Sequence, residues 1–300
     1  MTRQQQKTAG LGMTYVLLVM TVALWGGTWI AGRMIANHMG AMSSSFLRFS
    51  ISAVCLVFMV IRSEHGLPRL NMRQAMHATF LGATGIFLYS YFFFTGLQTV
   101  PASRAALTVA CIPVCIAVCS ALLFRENFGP KRMLGTLLSL CGVALVLSHG
   151  NPQALIREGV HGGDLLILGC VASWTAYSLD GRIAMKHFKP EVAVMWACVF
   201  GSAFLLLPAL YYGLIADIGR ASMQDWMCTL FLSVLATVFG YAWYYKAIDV
   251  IGPSKAGIFI NLVPVFAIAS ACILLDETPD ISLLIGGCIV IAGVYITNRG

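Results

Sequence analysis

Residues 13–35 read MTYVLLVMTVALWGGTWIAGRMI, an apolar run of over twenty residues interrupted by one charge, Arg33. As a helix rising 1.5 Å per residue, such a run is about 35 Å long, enough to cross a hydrocarbon core. Arg3 and Lys7 precede it, so a cleaved leader must be considered. The run is too long for a leader's apolar region, no small-residue cleavage site follows, and further apolar runs come directly after. It is expected to be a retained first span. Working outward, similar blocks lie at about 42–61, 74–97, 103–123, 131–148, 163–184, 191–213, 225–247, 257–275 and 281–298.

Composition agrees: 59% of residues are hydrophobic and 10% charged. Soluble domains carry about 25% charged residues, so this chain cannot cover a water-facing surface of its size. Period-two alternation is absent, and lipid forces the backbone to satisfy its own hydrogen bonds, so the blocks are expected to be helices. Placing the N-terminus in the cytoplasm puts fourteen lysines and arginines on the inner side and four (Arg33, Arg104, Arg157, Arg220) outside. That bias expects ten spans with both termini cytoplasmic. The net charge of +7 then reflects basic inner loops, not nucleic acid. All loops are short and none holds a phosphate-binding glycine loop, which argues against a primary pump.

The chain repeats itself. Shifted by 149 residues, Trp25, Gly32 and Arg33 meet Trp174, Gly181 and Arg182. Shifted by 151, Ser103 and Ala105 meet Ser254 and Ala256, Pro113-Val114 meets Pro264-Val265, and Glu126 meets Glu277. Gly135 and Gly142-Val143 likewise meet Gly286 and Gly293-Val294. Each repeat would hold five helices, an odd number, so the second enters the membrane from the opposite side. The expected fold is all-α: ten transmembrane helices as two inverted five-helix repeats, 13–148 and 163–298. Inverted repeats are common in secondary transporters, although duplicated channels also have them.

On these residues the sequence resembles the EamA family of the drug/metabolite transporter superfamily. The features are Leu24-Trp25-Gly26-Gly27-Thr28-Trp29, Phe46-Leu47-Arg48-Phe49 and the paired Pro–Glu–Gly-Val string. The second repeat departs from the pattern, with Trp174-Thr175-Ala176-Tyr177 in place of the Trp-Gly pair. The resemblance implies export of amino acids, related metabolites or other small organic compounds across a bacterial inner membrane. An exporter of cationic drugs is the alternative.

Several residues could carry transport. Trp25, Tyr89, Phe93, Trp174, Tyr177 and Tyr241 offer flat apolar faces, most with a donor, and Thr28 lies one turn beyond Trp25. They are candidates for a substrate cavity, or else for membrane-interface belts. Arg48 is a charge well inside a span, at a cost of about 2.5–3.5 kcal/mol on insertion scales. It either meets a substrate or snorkels outward. Asn261 is either helix glue or a substrate contact. Pro113 and Pro264 interrupt two spans and are candidate hinges or plain kinks. Asp180 breaks the repeat, since Ala31 stands opposite; Arg182 or Lys186 is its expected partner, and proton coupling the alternative. The glycine pairs are expected to serve packing.

The ten cysteines all lie in apolar blocks without C-x-x-C spacing, so no disulfide framework is expected. Cys111, Cys115 and Cys119 recur on one helix face and read as packing, not as a metal stripe. No nucleophile stands beside a base, and no cofactor, metal or enzymatic activity is expected. The expected partners are a small-molecule substrate and the bilayer, with monomer and homodimer both open. The topology has a direct test. A fluorescent protein fused after Gly300 should fluoresce, and alkaline phosphatase fused at Pro152 should be active; the reverse pattern would overturn the orientation.

Overall fold

The computed structural model describes residues 3–36, 38–100, 102–126, 129–148, 162–274 and 281–299. Among them every regular element is helical. The first half holds α1 (Arg3–Ile35), α2 (Ala41–Glu64), α3 (Met72–Gly96), α4 (Ala102–Val109), α5 (Ile112–Phe124) and α6 (Pro130–Leu147). The second holds α7 (Gly162–Ala184), α8 (Pro190–Tyr211), α9 (Leu214–Arg220), α10 (Met223–Ile251), α11 (Pro253–Gly257), α12 (Val263–Leu274) and α13 (Ile281–Arg299). Seven stretches of the described chain are long and apolar enough to cross a membrane: Leu11–Ile35, Ala41–Glu64, Met72–Gly96, Pro130–Leu147, Pro190–Tyr211, Met223–Ile251 and Pro253–Ser270. Outward-facing apolar side chains such as Val54, Phe58, Leu122, Leu207 and Ile273 are more than two-thirds exposed. Such a girdle suits acyl chains, not water.

Local signals recur at the repeat spacing. Asn71 Oδ1 accepts from Gln74 N while Asn71 N donates to Gln74 Oε1. Ser222 and Asp225, 151 positions on, form the same reciprocal cap at the start of α10. Both caps satisfy donors that a helix start leaves orphaned. Both capped helices then widen into π turns, at Ala83–Leu88 and Phe231–Phe239. Before Pro113 the helix breaks between α4 and α5, and before Pro264 a 3₁₀ turn, Ile258–Leu262, separates α11 from α12. Proline cannot donate to the carbonyl four residues back, so the expected single spans at 103–123 and 257–275 are each interrupted. The short helix α9 also differs from expectation, since 214–224 reads as loop. Its Asp217 accepts from Gly40 N at 3.0 Å and ties it to the start of α2.

The glycines place two helices backbone to backbone. A Cβ on Gly135 would come 2.7 Å from Gly293 O, and one on Gly142 would come 2.8 Å from Gly286 O. As the residue number rises along α6 it falls along α13, so the two run antiparallel. Gly135 and Gly286 are repeat mates, as are Gly142 and Gly293, so the two contacts exchange under the repeat. At one end, Tyr15 Oη donates to Asn298 Oδ1 across 3.4 Å. The membrane end of α1 and the end of α13 therefore share one face. Leucine at Gly142 should overpack this seam and cost about 1–3 kcal/mol, read as a lower melting temperature in detergent. Gly32→Leu, where an added side chain meets open space, should melt like the parent; equal loss from both would refute the seam.

Candidate functional site

The centre of the protein is built from rings. On α1, Gly26 stands against Phe266 and Ala267 of α12, 2.7–2.8 Å from where a Cβ would sit. This close approach brings Trp25 inward. Its ring centroid lies 5.4 Å from Trp174 of α7, and 5.6 Å and 5.4 Å from Tyr241 and Tyr244 of α10. Trp174 lies 5.3 Å from Tyr89, 5.3 Å from Tyr177 and 5.5 Å from Tyr241. Tyr89 stacks on Phe93 at 6.0 Å, and Tyr177 meets Tyr245 at 4.9 Å. Such edge-on and offset pairs add about 0.5–1.5 kcal/mol each beyond the area they bury. The six aromatics chosen from sequence thus join one network contributed by both halves of the chain. Tyr244 and Tyr245 complete it.

The π turn of α10 supplies the polar anchors. Gly240 N donates to Leu235 O, five residues back, which releases the carbonyl of Ala236. Trp25 Nε1 donates to that carbonyl at 2.9 Å. Thr237 Oγ1 donates to Leu232 O and accepts from Arg48 Nε at 2.8 Å. Arg48 therefore bridges α2 and α10 and does not snorkel alone. Its guanidinium lies over Phe49, 5.0 Å from the ring centroid, within electrostatic reach of Tyr89 and Tyr241. Among the described residues no carboxylate pairs with it.

The repeat is unequal here. Trp174 is the mate of Trp25, yet its Nε1 is buried with no hydrogen-bond partner. Tyr177, the mate of Thr28, is also buried with an unpaired hydroxyl. Thr28 itself turns its hydroxyl back to Trp25 O. Buried polar groups are normally satisfied, so the second half presents two buried donors without a close hydrogen bond among these rings. What the centre offers is a guanidinium, an indole N–H, hydroxyls that can donate or accept, and ring faces.

The other candidates lie apart. Asn261, in the 3₁₀ turn, donates from Nδ2 to Ser139 Oγ of α6 at 2.9 Å and acts as glue between helices. Pro113 is buried at the start of α5, and Pro264 is partly buried at the start of α12. Asp180 does not pair with Arg182 or Lys186: its Oδ1 meets His77 Nδ1 at 2.8 Å, and Arg182 reaches Glu126 instead. Helix geometry explains the difference, because a residue two positions away points to another face. Spacing within one helix gives no sign of a partner across helices, so neither His77 nor Thr237 is legible from the sequence as a partner. The described residues hold no group of three or more His, Cys, Asp or Glu placed for a metal.

The backbone matches a solved crystal structure with a TM-score of 0.76 at 19% identity, covering 95% of this chain and 97% of that one. In sequence, the chain is 26% identical to an uncharacterized transporter, YetK, of Bacillus subtilis, over 94% of this chain and 86% of that one. It is 26% identical to a probable terminal-alkyne amino-acid exporter of Streptantibioticus cattleyicolor, over 94% and 92%. It is likewise 26% identical to a probable amino-acid metabolite efflux pump of Salmonella typhimurium, over 95% and 94%. The description "EamA-like transporter family" fits twice, to residues 12–148 and again to 161–299. With both halves of its sequence carrying that pattern, the chain belongs to the EamA-like transporter family.

Proposed function

We propose that this protein is a secondary transporter that exports amino acids or related small metabolites by alternating access. In this reading ten helices form two inverted five-helix repeats in a bacterial inner membrane, with both termini in the cytoplasm. The antiparallel, mutually exchanging contacts of Gly135–Gly293 and Gly142–Gly286 support the inversion. The observation that carries the function is the aromatic centre between the halves: Arg48, the Trp174 Nε1 and Tyr177 hydroxyl that are buried without a hydrogen-bond partner, and the surrounding rings. An amino-acid carboxylate would take the donors, and its side chain would lie on the rings. The rings now pack on one another, so substrate enters when the halves move apart, and the proline breaks are natural places for that motion.

Export of cationic drugs fits less well. Ring faces can hold a cation, but Arg48 already places a positive charge at the centre, and Asp180, the acid the sequence offers for that role, is paired with His77.

Reconstituted vesicles loaded with unlabelled amino acid should take up labelled amino acid saturably and faster than empty ones. Unsaturable flux would indicate a channel, and no uptake of any amino acid would move the substrate class elsewhere. Arg48→Gln should raise KM about ten-fold or more, since a hydrogen bond to a charged group contributes about 1.5–3 kcal/mol. Trp174→Phe keeps the ring, removes the idle donor and should weaken KM about five-fold. Unchanged KM in both variants would remove the carboxylate from this site.

A further inference from the structure

We propose that His77 and Asp180 form a proton-binding site that closes the membrane mouth on the face of the termini; the proposal rests on the transporter reading. His77 lies in the second turn of α3 and Asp180 in the last turns of α7, with side chains 18% and 14% exposed. They border a cleft of about 350 Å³ lined by Arg73, Met76, His77, Phe80 and Asp180, which opens this pair to protons from water. Asp180 Oδ2 is buried and has no partner.

The chemistry follows from these contacts. A neutral His77 donates its Nδ1 proton to Asp180 Oδ1 and keeps Nε2 as a base. In that state the pair carries one net negative charge on a partly buried carboxylate. A proton taken from water by Nε2 makes the pair an imidazolium–carboxylate couple with no net charge. Holding a net charge away from water costs free energy. The bound proton and the closed mouth therefore favour one another, and opening, which wets the carboxylate, favours release.

The charged and titratable groups around the pair come from several elements. On α3 itself Arg73 borders the cleft. From the turn after α7 the His187 ring lies 6.3 Å from that of His77. From α10 Tyr245 stands near Asp180, with its hydroxyl donated to Tyr177 O. α8 brings Glu191, exposed at its first turn, and farther along α7 Arg182 is engaged by Glu126.

The repeat adds an independent argument. The mates of His77 and Asp180 are Cys228 and Ala31, so this pair has no counterpart in the other half. The pair at the opposite face, His38 Nδ1 with Asp225 Oδ2 at 3.1 Å, is instead the mate of the link from Gln74 Nε2 to His187 O. His38 is 52% exposed and Asp225 2%, but that carboxylate also accepts from Ser222 N and Ser222 Oγ. Asp180 Oδ2 has no such second donor.

The test uses the full chain in oriented vesicles, with amino-acid entry from the terminal face measured as pH on that face falls from about 8 to about 6. Entry into the parent should slow several-fold on acidification. His77→Gln can still donate to Asp180 but takes no proton, and its rate should be flat with pH. His38→Gln should keep the parent's pH dependence. A His77→Gln protein that slows with acid like the parent overturns the proposal. A second measurement needs no transport: imidazole nitrogen NMR of the histidine-labelled protein in lipid discs. One titrating imidazole should vanish in His77→Gln, and its midpoint should move in Asp180→Asn; no response to Asp180→Asn overturns the site. If no substrate moves, the export reading fails and the NMR titration alone decides the proton site.

Discussion

Inside a bilayer a backbone amide or carbonyl must find its partner within the protein, and the architecture turns on where that requirement is loosened. A regular helix satisfies itself and offers nothing to its neighbours. This chain departs from regularity at the π turns of α3 and α10, at the break before Pro113 and at the 3₁₀ turn before Pro264. Where the π turn of α10 releases the carbonyl of Ala236, the indole of Trp25 takes it up. Hydroxyls serve the same end elsewhere: Thr84 bonds to Phe80 O, and Ser52 lies within reach of both Arg48 O and Ser233 O. Polar atoms in the core are therefore concentrated where helices cross, and these crossings surround the aromatic centre.

That distribution explains what could be read from the sequence. Long apolar blocks, basic loops and identities at a fixed spacing are properties of single stretches, so the helical fold and the doubled pattern were legible. The rings were legible as a group because Trp and Tyr in mid-span need partners for their polar ends. The partners were not legible. Nothing near Arg48 in the chain announces Thr237, 189 positions away, and nothing near Asp180 announces His77. The π turns were hidden as well, since a widened turn leaves no change in hydropathy. Asp180 shows the limit of local reasoning: two basic residues follow within six positions, yet helix geometry turns it to another neighbour.

The glycine seam between α6 and α13 and the aromatic centre represent opposite uses of close packing. At the seam, backbones touch and leave no side chain to rearrange, which makes a stiff joint between the halves. At the centre, large rings meet edge to face, and such contacts re-form readily in new geometry. One contact is thus made without side chains and the other almost entirely of them.

The unequal fates of Trp25 and Trp174 have a thermodynamic meaning. Two halves identical at the centre would place both indoles in the same bonding environment. Here one indole has its carbonyl and the other has none. A hydrogen bond contributes about 1 kcal/mol, so the two indoles do not contribute equally to this arrangement. The two halves match in sequence position but not in bonding: removing the Trp25 indole breaks its contact to Ala236, and removing that of Trp174 breaks no hydrogen bond.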